Sequence, residues 1–495
     1  MSFPSYWRVA LVAAATLPSA AQADTSSLAA RLELFKANPK ALLNTIPKKV
    51  SLSGGQAVEF FPADALKNRN FVAAKNADRN AVAGRAAIQS NDDPAHLVDN
   101  ADSMITNIRE MDEKKLRQAE VKTQPWSDYY WALYNGNLAF RFADTRFPRE
   151  SQNWKDKSDY LNSPIASSTD TDILSPAEKY DLLVGDRNKS LTKYSLAQGQ
   201  QYFDARGSVE TWMGICHGWS PAAFMIERPT NAVKVTAADG RTQITFYPSD
   251  IKALGSLLWA NSPGETRFIG GRCNVKNPKT DENGRIIDQS CFDTNPGTWH
   301  QAVVNQIGVN KRSFVLDVTF DYEVWNQPAK SYSYTYFNPN TLTPVDSLAD
   351  ATVKISDMQN DRFKKYRSPK AKYLVGVSMK FDYIVETYPS ARTLDLPQND
   401  AVREAAYEYD LELDENMNII GGEWYENAHP DFLWTPTPDA KAQSIADEGL
   451  TGTWDGKSAL PAEWSAVAPR SSQAGSPLAT IVDSLVKISR STFNP

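Results

Sequence analysis

The order of periodic segments along the 495-residue chain predicts an α+β fold. Segments with helical spacing come first, strand-like alternation dominates from Ser313 onward, and βα alternation is scarce. Turn chemistry agrees. A capping pattern marks a helix start at Ser175, and Asp239-Gly240 between two alternating runs marks a hairpin.

The first residues read as an export signal. Arg8 supplies a positive start, residues 9–17 are an apolar run, and Ala21-Gln22-Ala23 is a small-residue cleavage site. Residues 1–23 are therefore expected to be removed, leaving Asp24 first. The run is too short to cross a bilayer, and no later segment reaches roughly 18 consecutive apolar residues, so no membrane anchor is expected. Residues 24–121 read as a helical N-terminal region, either a pro-segment or a packed domain. Residues 28–43 have near-helical apolar spacing, 68–91 are rich in Asn and Ala, and 101–121 are charged.

Residues 126–143 carry a denser helical pattern containing Tyr130, Trp131, Leu133 and Tyr134. A Ser- and Asp-rich loop follows at 162–172. The next helix has Ser175 as N-cap, Pro176 at its first position, Glu178 completing a capping box, and Gly185 as its stop. Residues 232–236 and 243–247 form the predicted hairpin. Residues 251–260 and 298–307 are expected as helices. Strands are expected at 313–320, 331–337, 372–388, 407–413 and 418–425. Residues 435–495 read as an irregular tail rich in Pro, Ala, Ser and Trp, ending in a short amphipathic helix at 477–488.

With 41% hydrophobic and 23% charged residues, the composition is that of an ordinary globular protein. The net charge of -6 and the lack of any Lys/Arg run argue against a nucleic-acid partner. There are three cysteines, and an exported chain meets an oxidising compartment. Cys273 and Cys291 bracket a polar loop, and a disulfide between them contributes about 3 kcal/mol on the loop-closure argument. Cys216 is then the unpaired thiol. No C-x-x-C or H-E-x-x-H pattern is present, so no metal site is predicted.

Cys216 stands in Met213-Gly214-Ile215-Cys216-His217-Gly218-Trp219, ahead of an apolar helical run. A cysteine at a helix N-terminus gains thiolate stability from the dipole and free amides, and its amide can serve an oxyanion hole. Such a thiol needs a base. His96 lies in the N-terminal region, and His217 is a sequence neighbour whose side chain diverges from that of Cys216. His300 is the expected base, with His429 the alternative. Asp317, a lone carboxylate among strand hydrophobes, is expected to orient the imidazole, with Asp321 as its alternative. Trp219 and Trp299 are expected to wall the site. The order Cys, His, Asp is the papain-like order and suits amide attack through a thioester.

Val324-Trp325-Asn326-Gln327-Pro328 resembles the surface motif of the oomycete elicitor transglutaminases, a family with homologues in marine bacteria. Gly214-Ile215-Cys216-His217-Gly218-Trp219 resembles that family's active-site segment, as does Gly421-Gly422-Glu423-Trp424 with His429-Pro430-Asp431. The resemblance spans residues 126–434 and departs after Pro328, where Ala329-Lys330-Ser331-Tyr332 replaces a basic-Gly-aromatic continuation. It implies a papain-like catalytic domain over residues 122–434 and a secreted protein-glutamine γ-glutamyltransferase. The nucleophile would be Cys216 and the substrates proteins with accessible Gln and Lys. Calcium is the ion the resemblance implies, although the sequence shows no calcium loop. A papain-like peptidase and a non-catalytic secreted recognition protein are the other readings of the same residues.

Overall fold

The computed structural model describes residues 27–43, 92–151, 153–164, 170–273, 278–288, 291, 294–318 and 324–491. The expected export signal, the Asn- and Ala-rich stretch up to residue 91, and Asp321 lie outside the described residues.

Alternating aromatic and β-branched residues build the sheet, because such side chains pack well on a pleated surface. Its strands are β1 (Gln118–Glu120), then the separate hairpin β2 (Val233–Thr236) and β3 (Gln243–Phe246), then β4 (Thr266–Gly270) and β5 (Val315–Asp317). They continue with β6 (Asn326–Asn338), β7 (Thr343–Val345), β8 (Thr352–Lys354), β9 (Tyr373–Val385), β10 (Ala401–Leu413), β11 (Ile419–Trp424) and β12 (Phe432–Pro436). The main sheet runs β11-β10-β9-β6-β5-β12-β4, with β1 and β7 added on β6 and β8 on β9. Its pairings are antiparallel. The three central strands β6, β9 and β10 are 13 residues each. Strand β6 starts at Asn326, earlier than alternation alone suggested, so Asn326-Gln327-Pro328 lies in the sheet against β5.

The helices that frame the site are α1 (Leu28–Ala37), α2 (Pro176–Val184), α3 (Ser190–Arg206), α4 (Cys216–Met225), α5 (Pro248–Asn261), α6 (Pro296–Val303), α7 (Ala462–Gln473) and α8 (Ala479–Ser491). The capping box at Ser175 and Glu178 forms, and Gly185 closes α2 in the left-handed region. Among the described residues, no helix is long and apolar enough to cross a membrane.

Two cores result. One gathers α2, α4, α5, the C-terminal helices and the aromatic segment from Trp126 to Phe147. The other lies between the sheet and α6, and includes Trp299, Tyr334, Phe381 and Tyr409. Residues 97–121 belong to this second core through Leu97, Ile105, Ile108, Met111 and Val121, and β1 pairs with β6. Packing therefore shows no break at residue 121. The helix α1 is fixed separately, by Phe35 stacking on Tyr425 at 4.3 Å and by a bidentate bond from Arg31 to the buried Glu408.

Two expectations are corrected. Residues 126–143 form no long helix; two short 3₁₀ turns, Leu133–Asn135 and Asn137–Ala139, flank Gly136. Trp131 and Asn137 take positive φ there, at 49° and 53°. The segment is buried along its length, with Trp126, Tyr129, Tyr130, Trp131 and Phe140 and the polar Asp128, Asn135 and Asn137 all inside, so no solvent-facing side selects a surface helix. The C-terminal stretch is more regular than its composition suggested. Helix α7 forms around Pro469, with Trp464 fully buried, and α8 packs on α5.

The crossing of α4 and α5 positions Cys216, and Gly218 makes it close. A Cβ at Gly218 would lie 2.2 Å from the Ser256 carbonyl oxygen and 2.5 Å from the Ala260 Cβ. Gly218→Ala is expected to force the helices apart and lower stability by about 1–3 kcal/mol, as overpacking does. Urea unfolding of the variant checks this; an unchanged midpoint would contradict the close crossing.

Candidate active site

Cys216 is the first residue of α4, where backbone N–H groups remain without intrahelical partners and the dipole favours negative charge. The turn into the helix is held from outside. Ile215 donates its N–H to the Tyr130 carbonyl at 2.7 Å. A Cβ at Gly214 would sit 2.3 Å from that same oxygen, so only glycine allows the approach. The irregular course of residues 126–143 thus serves the turn that leads into Cys216. The strained Trp131 next to Tyr130 is fixed by its indole N–H on Asp128 at 2.8 Å.

The facing wall is β5 and the start of β6. Asp317 is paired with Asn326 across these strands, and its Oδ1 accepts the Trp325 backbone N–H at 2.9 Å. That contact gives the buried carboxylate a partner and pins the residue before Asn326. The Cys216 thiol donates to the Val324 carbonyl at 3.8 Å. Asn326 Nδ2 donates to Cys216 Sγ at 3.6 Å. The orientation of that amide is set from the other side, because Trp434 Nε1 donates to Asn326 Oδ1 at 2.8 Å. Indole can only donate, so the oxygen of Asn326 faces Trp434 and its NH₂ faces sulfur. Gln327 donates to Glu386 Oε1 at 2.7 Å. The ring of Trp325 lies 5.8 Å from that of Tyr130.

The electrostatics oppose ionisation. Burial pushes the Cys216 thiol up to about 11; hydrogen bonds from Asn326 pull it down, and the Glu386 and Asp317 carboxylates push it up again. At neutral pH the resting group is the protonated thiol. Burial likewise pushes Glu386 up to about 7.

The structure brings Cys216, Asp317, Asn326 and Gln327 together and leaves His300 elsewhere. His300 is buried in the second core, its Nδ1 2.9 Å from the Tyr409 hydroxyl and its ring 4.8 Å from that of Tyr334. Tyr334 lies eight residues beyond Asn326 along β6, a separation of about 25 Å at the rise of an extended strand. The expected pairings of His300 with Cys216 and with Asp317 are therefore not formed. The α6 helix bears on β10 and β11, whereas α4 bears on β6. His429 stacks on Trp424, 4.5 Å between ring centroids and 7° between planes, and does not reach Cys216 either. Among the described residues no imidazole hydrogen-bonds the thiol.

Trp219 and Trp299 are corrected as well. Both are fully buried; Trp219 donates to the Trp126 carbonyl inside the helical core, and Trp299 packs on Phe381 and Tyr407 in the other. The motif residues Asn326 and Gln327 are 4% and 2% exposed, so this stretch is an internal wall and not a surface feature. The Cys273–Cys291 disulfide is formed, leaving Cys216 as the free thiol. Among the described residues, no three His, Cys, Asp or Glu side chains converge to hold a cation. They hold no carboxylate cluster of the kind that binds calcium.

The sequence reading missed Trp434, Tyr130 and Glu386. Only Glu386 left a trace, as a carboxylate closing the apolar run Tyr383-Ile384-Val385. The other two act through an indole N–H and a backbone carbonyl, which no spacing rule announces.

A helix-borne thiol held against an antiparallel sheet defines the architecture. A family model described as Transglutaminase elicitor matches residues 100–453, and the chain belongs to that family. The crystal structure of the GP42 transglutaminase from Phytophthora sojae is similar in fold, with a TM-score of 0.50 and 22% sequence identity. The match covers 79% of this chain and 95% of that one. No curated protein matches the chain.

The buried histidines predict an acid weakness. Burial lowers both His300 and His429 to about 3. In the unfolded chain each titrates near 6.5. Between these values the unfolded state binds protons that the folded state refuses, so their contribution is complete above about pH 6.5 and is lost as pH falls toward 3. Buried carboxyls with raised values shift stability the other way, so the comparison must be made with a variant. Between pH 7.5 and 4.5, wild type is expected to lose roughly 2–3 kcal/mol more than His300→Gln in urea unfolding. Equal losses would contradict the buried neutral imidazole.

Proposed function

We propose that this family member is an exported protein-glutamine γ-glutamyltransferase that works through a thioester on Cys216. The observation that carries the reading is the geometry at one sulfur. The free cysteine opens a helix, and Asn326 of the family-like Val-Trp-Asn-Gln-Pro stretch donates to it. On this reading the Cys216 thiolate attacks the γ-carbonyl carbon of a glutamine side chain. The C–N bond breaks, ammonia departs carrying the proton that left sulfur, and a thioester remains. A lysine amine then attacks that carbon, the C–S bond breaks, and the amine returns a proton to sulfur. The product is a Gln–Lys isopeptide, and the cycle closes without net proton exchange.

The residues divide the work without His300. Asn326 offers donors to the sulfur as charge develops there, and Trp434 keeps its amide facing the right way. Asp317 fixes Trp325 and with it the wall. At 4% exposure, Cys216 sits where water is scarce, which favours an amine over water as acceptor. The helix-borne cysteine packed on β6 supports a papain-like description of the core. A cleavable pro-segment, on this reading, ends before residue 92, because residues 97–121 share the sheet's core. The single disulfide with one free thiol fits export.

Incubating the chain with a glutamine donor and a fluorescent primary amine tests the reading. Incorporation with ammonia release is expected, falling to background in Cys216→Ala. Peptide cleavage without incorporation would replace the transferase by a peptidase. No reaction, unchanged by the substitution, would leave a recognition protein.

A further inference from the structure

The Cys216 wall is held at both ends. Trp434 fixes one side of Asn326, and behind the neighbouring Gln327 lies Glu386. Glu386 directly follows Val385, the last residue of β9, and the next residue, Thr387, donates its N–H to the Asp128 carbonyl at 2.9 Å. The carboxylate is therefore locked between the sheet and the segment that carries Tyr130, itself the acceptor for Ile215. It is 4% exposed, and its Oε1 receives the Gln327 amide at 2.7 Å. The oxygen of that amide is buried without a hydrogen-bond partner. The Gln327 side chain thus has one anchor, and the anchor is a titratable group.

We infer that Glu386 is a positioning residue for Cys216: its ionised carboxylate holds Gln327, which holds the start of β6 where Asn326 donates to Sγ. The inference rests on Cys216 being the reactive thiol, and it adds a pH-dependent latch to that site. When Glu386 takes a proton, it becomes a donor. Its other oxygen still accepts from Gln327, but the anchor changes from a charge-assisted to a neutral hydrogen bond, roughly half as strong, and the latch loosens. The groups that act on Glu386 are Gln327 from β6 and Arg403 from β10. Tyr383 on its own strand, Tyr130 on the facing segment and Cys216 on α4 also share its field. Burial, the largest influence, places its titration near neutrality, at about 7.

Charge alone makes the opposite prediction. The Glu386 carboxylate raises the thiol's pKa through space, so removing it without any positioning role would speed thiolate chemistry. The direction of the effect therefore decides. The experiment is alkylation of the full chain by iodoacetamide, read by mass at Cys216, from pH 5.5 to 9. With Cys273 and Cys291 joined, Cys216 is the only thiol available. Because this reads sulfur and not transamidation, its failure is distinct from failure of the proposed activity.

A simple thiolate reacts about tenfold faster per pH unit below its pKa. Wild type is expected to follow that slope above neutrality and a steeper one below, where the latch also opens. Glu386→Gln is expected to be roughly three- to tenfold slower at pH 8, the size of one hydrogen bond, and to keep a single slope throughout. Gln327→Met, which leaves the carboxylate in place, should give the same slowing and the same single slope. It serves as the reading if Glu386→Gln fails to fold. Glu404→Gln on the exposed Lys380–Glu404 pair is the control and should match wild type. Faster alkylation of Glu386→Gln, or a wild-type slope that is uniform or shallower below neutrality, would overturn the inference.

Discussion

The rest of the site depends on one amide. Asn326 is clamped between an indole N–H that cannot accept and a sulfur that receives its NH₂. For that clamp to exist, β12 must lie beside β5, and β5 beside β6 in the register that sets Asp317 opposite Asn326. A one-residue slip in either pairing would turn the Asn326 side chain to the other face. The helical layer must in turn deliver Cys216 to the same point, which the glycine-tight contacts of α4 with Tyr130 and α5 achieve. The sheet's register and the helix crossing therefore meet at a single sulfur–amide contact.

The clamp works against a strong opposing force. Burial and two carboxylates hold the thiol in its neutral form, while the Asn326 donors and the helix terminus favour the anion. Burial wins at rest. This suits a thiol whose charge, on the proposed reading, is wanted only as a carbonyl carbon arrives, and it shields the free cysteine from oxidants. The same burial that suppresses the thiolate excludes the water that would hydrolyse a thioester. On the proposed reading, low resting reactivity and a preference for an amine acceptor would share that one physical cause.

Much of this was legible in the sequence, and the misses have physical reasons. Alternation gave the central strands, because period two with large aromatics has few other solutions. The odd cysteine and the polar loop between Cys273 and Cys291 gave the disulfide and the free thiol. Small residues before an apolar run gave the helix opening at Cys216. Chain order, however, carries no distance. His300 follows Cys216 and precedes Asp317, yet it faces a different core, because α6 covers the sheet near Tyr334 and Tyr409. Asp317 did need a partner, and found a backbone N–H where an imidazole was expected. The 126–143 segment read as a helix because aromatics recur near helical spacing. Its left-handed residues follow from tertiary contacts at the turn into Cys216, which propensity cannot contain.

The central claim is that acyl transfer passes through the Cys216 sulfur. Its most direct test is intact and peptide mass analysis of the chain after acid quench with a glutamine donor peptide and no amine. The account predicts a single adduct equal to the donor less one ammonia, located on the peptide containing Cys216 and removed by hydroxylamine. An adduct on any other residue, or its absence from a chain that still incorporates amine, would contradict it.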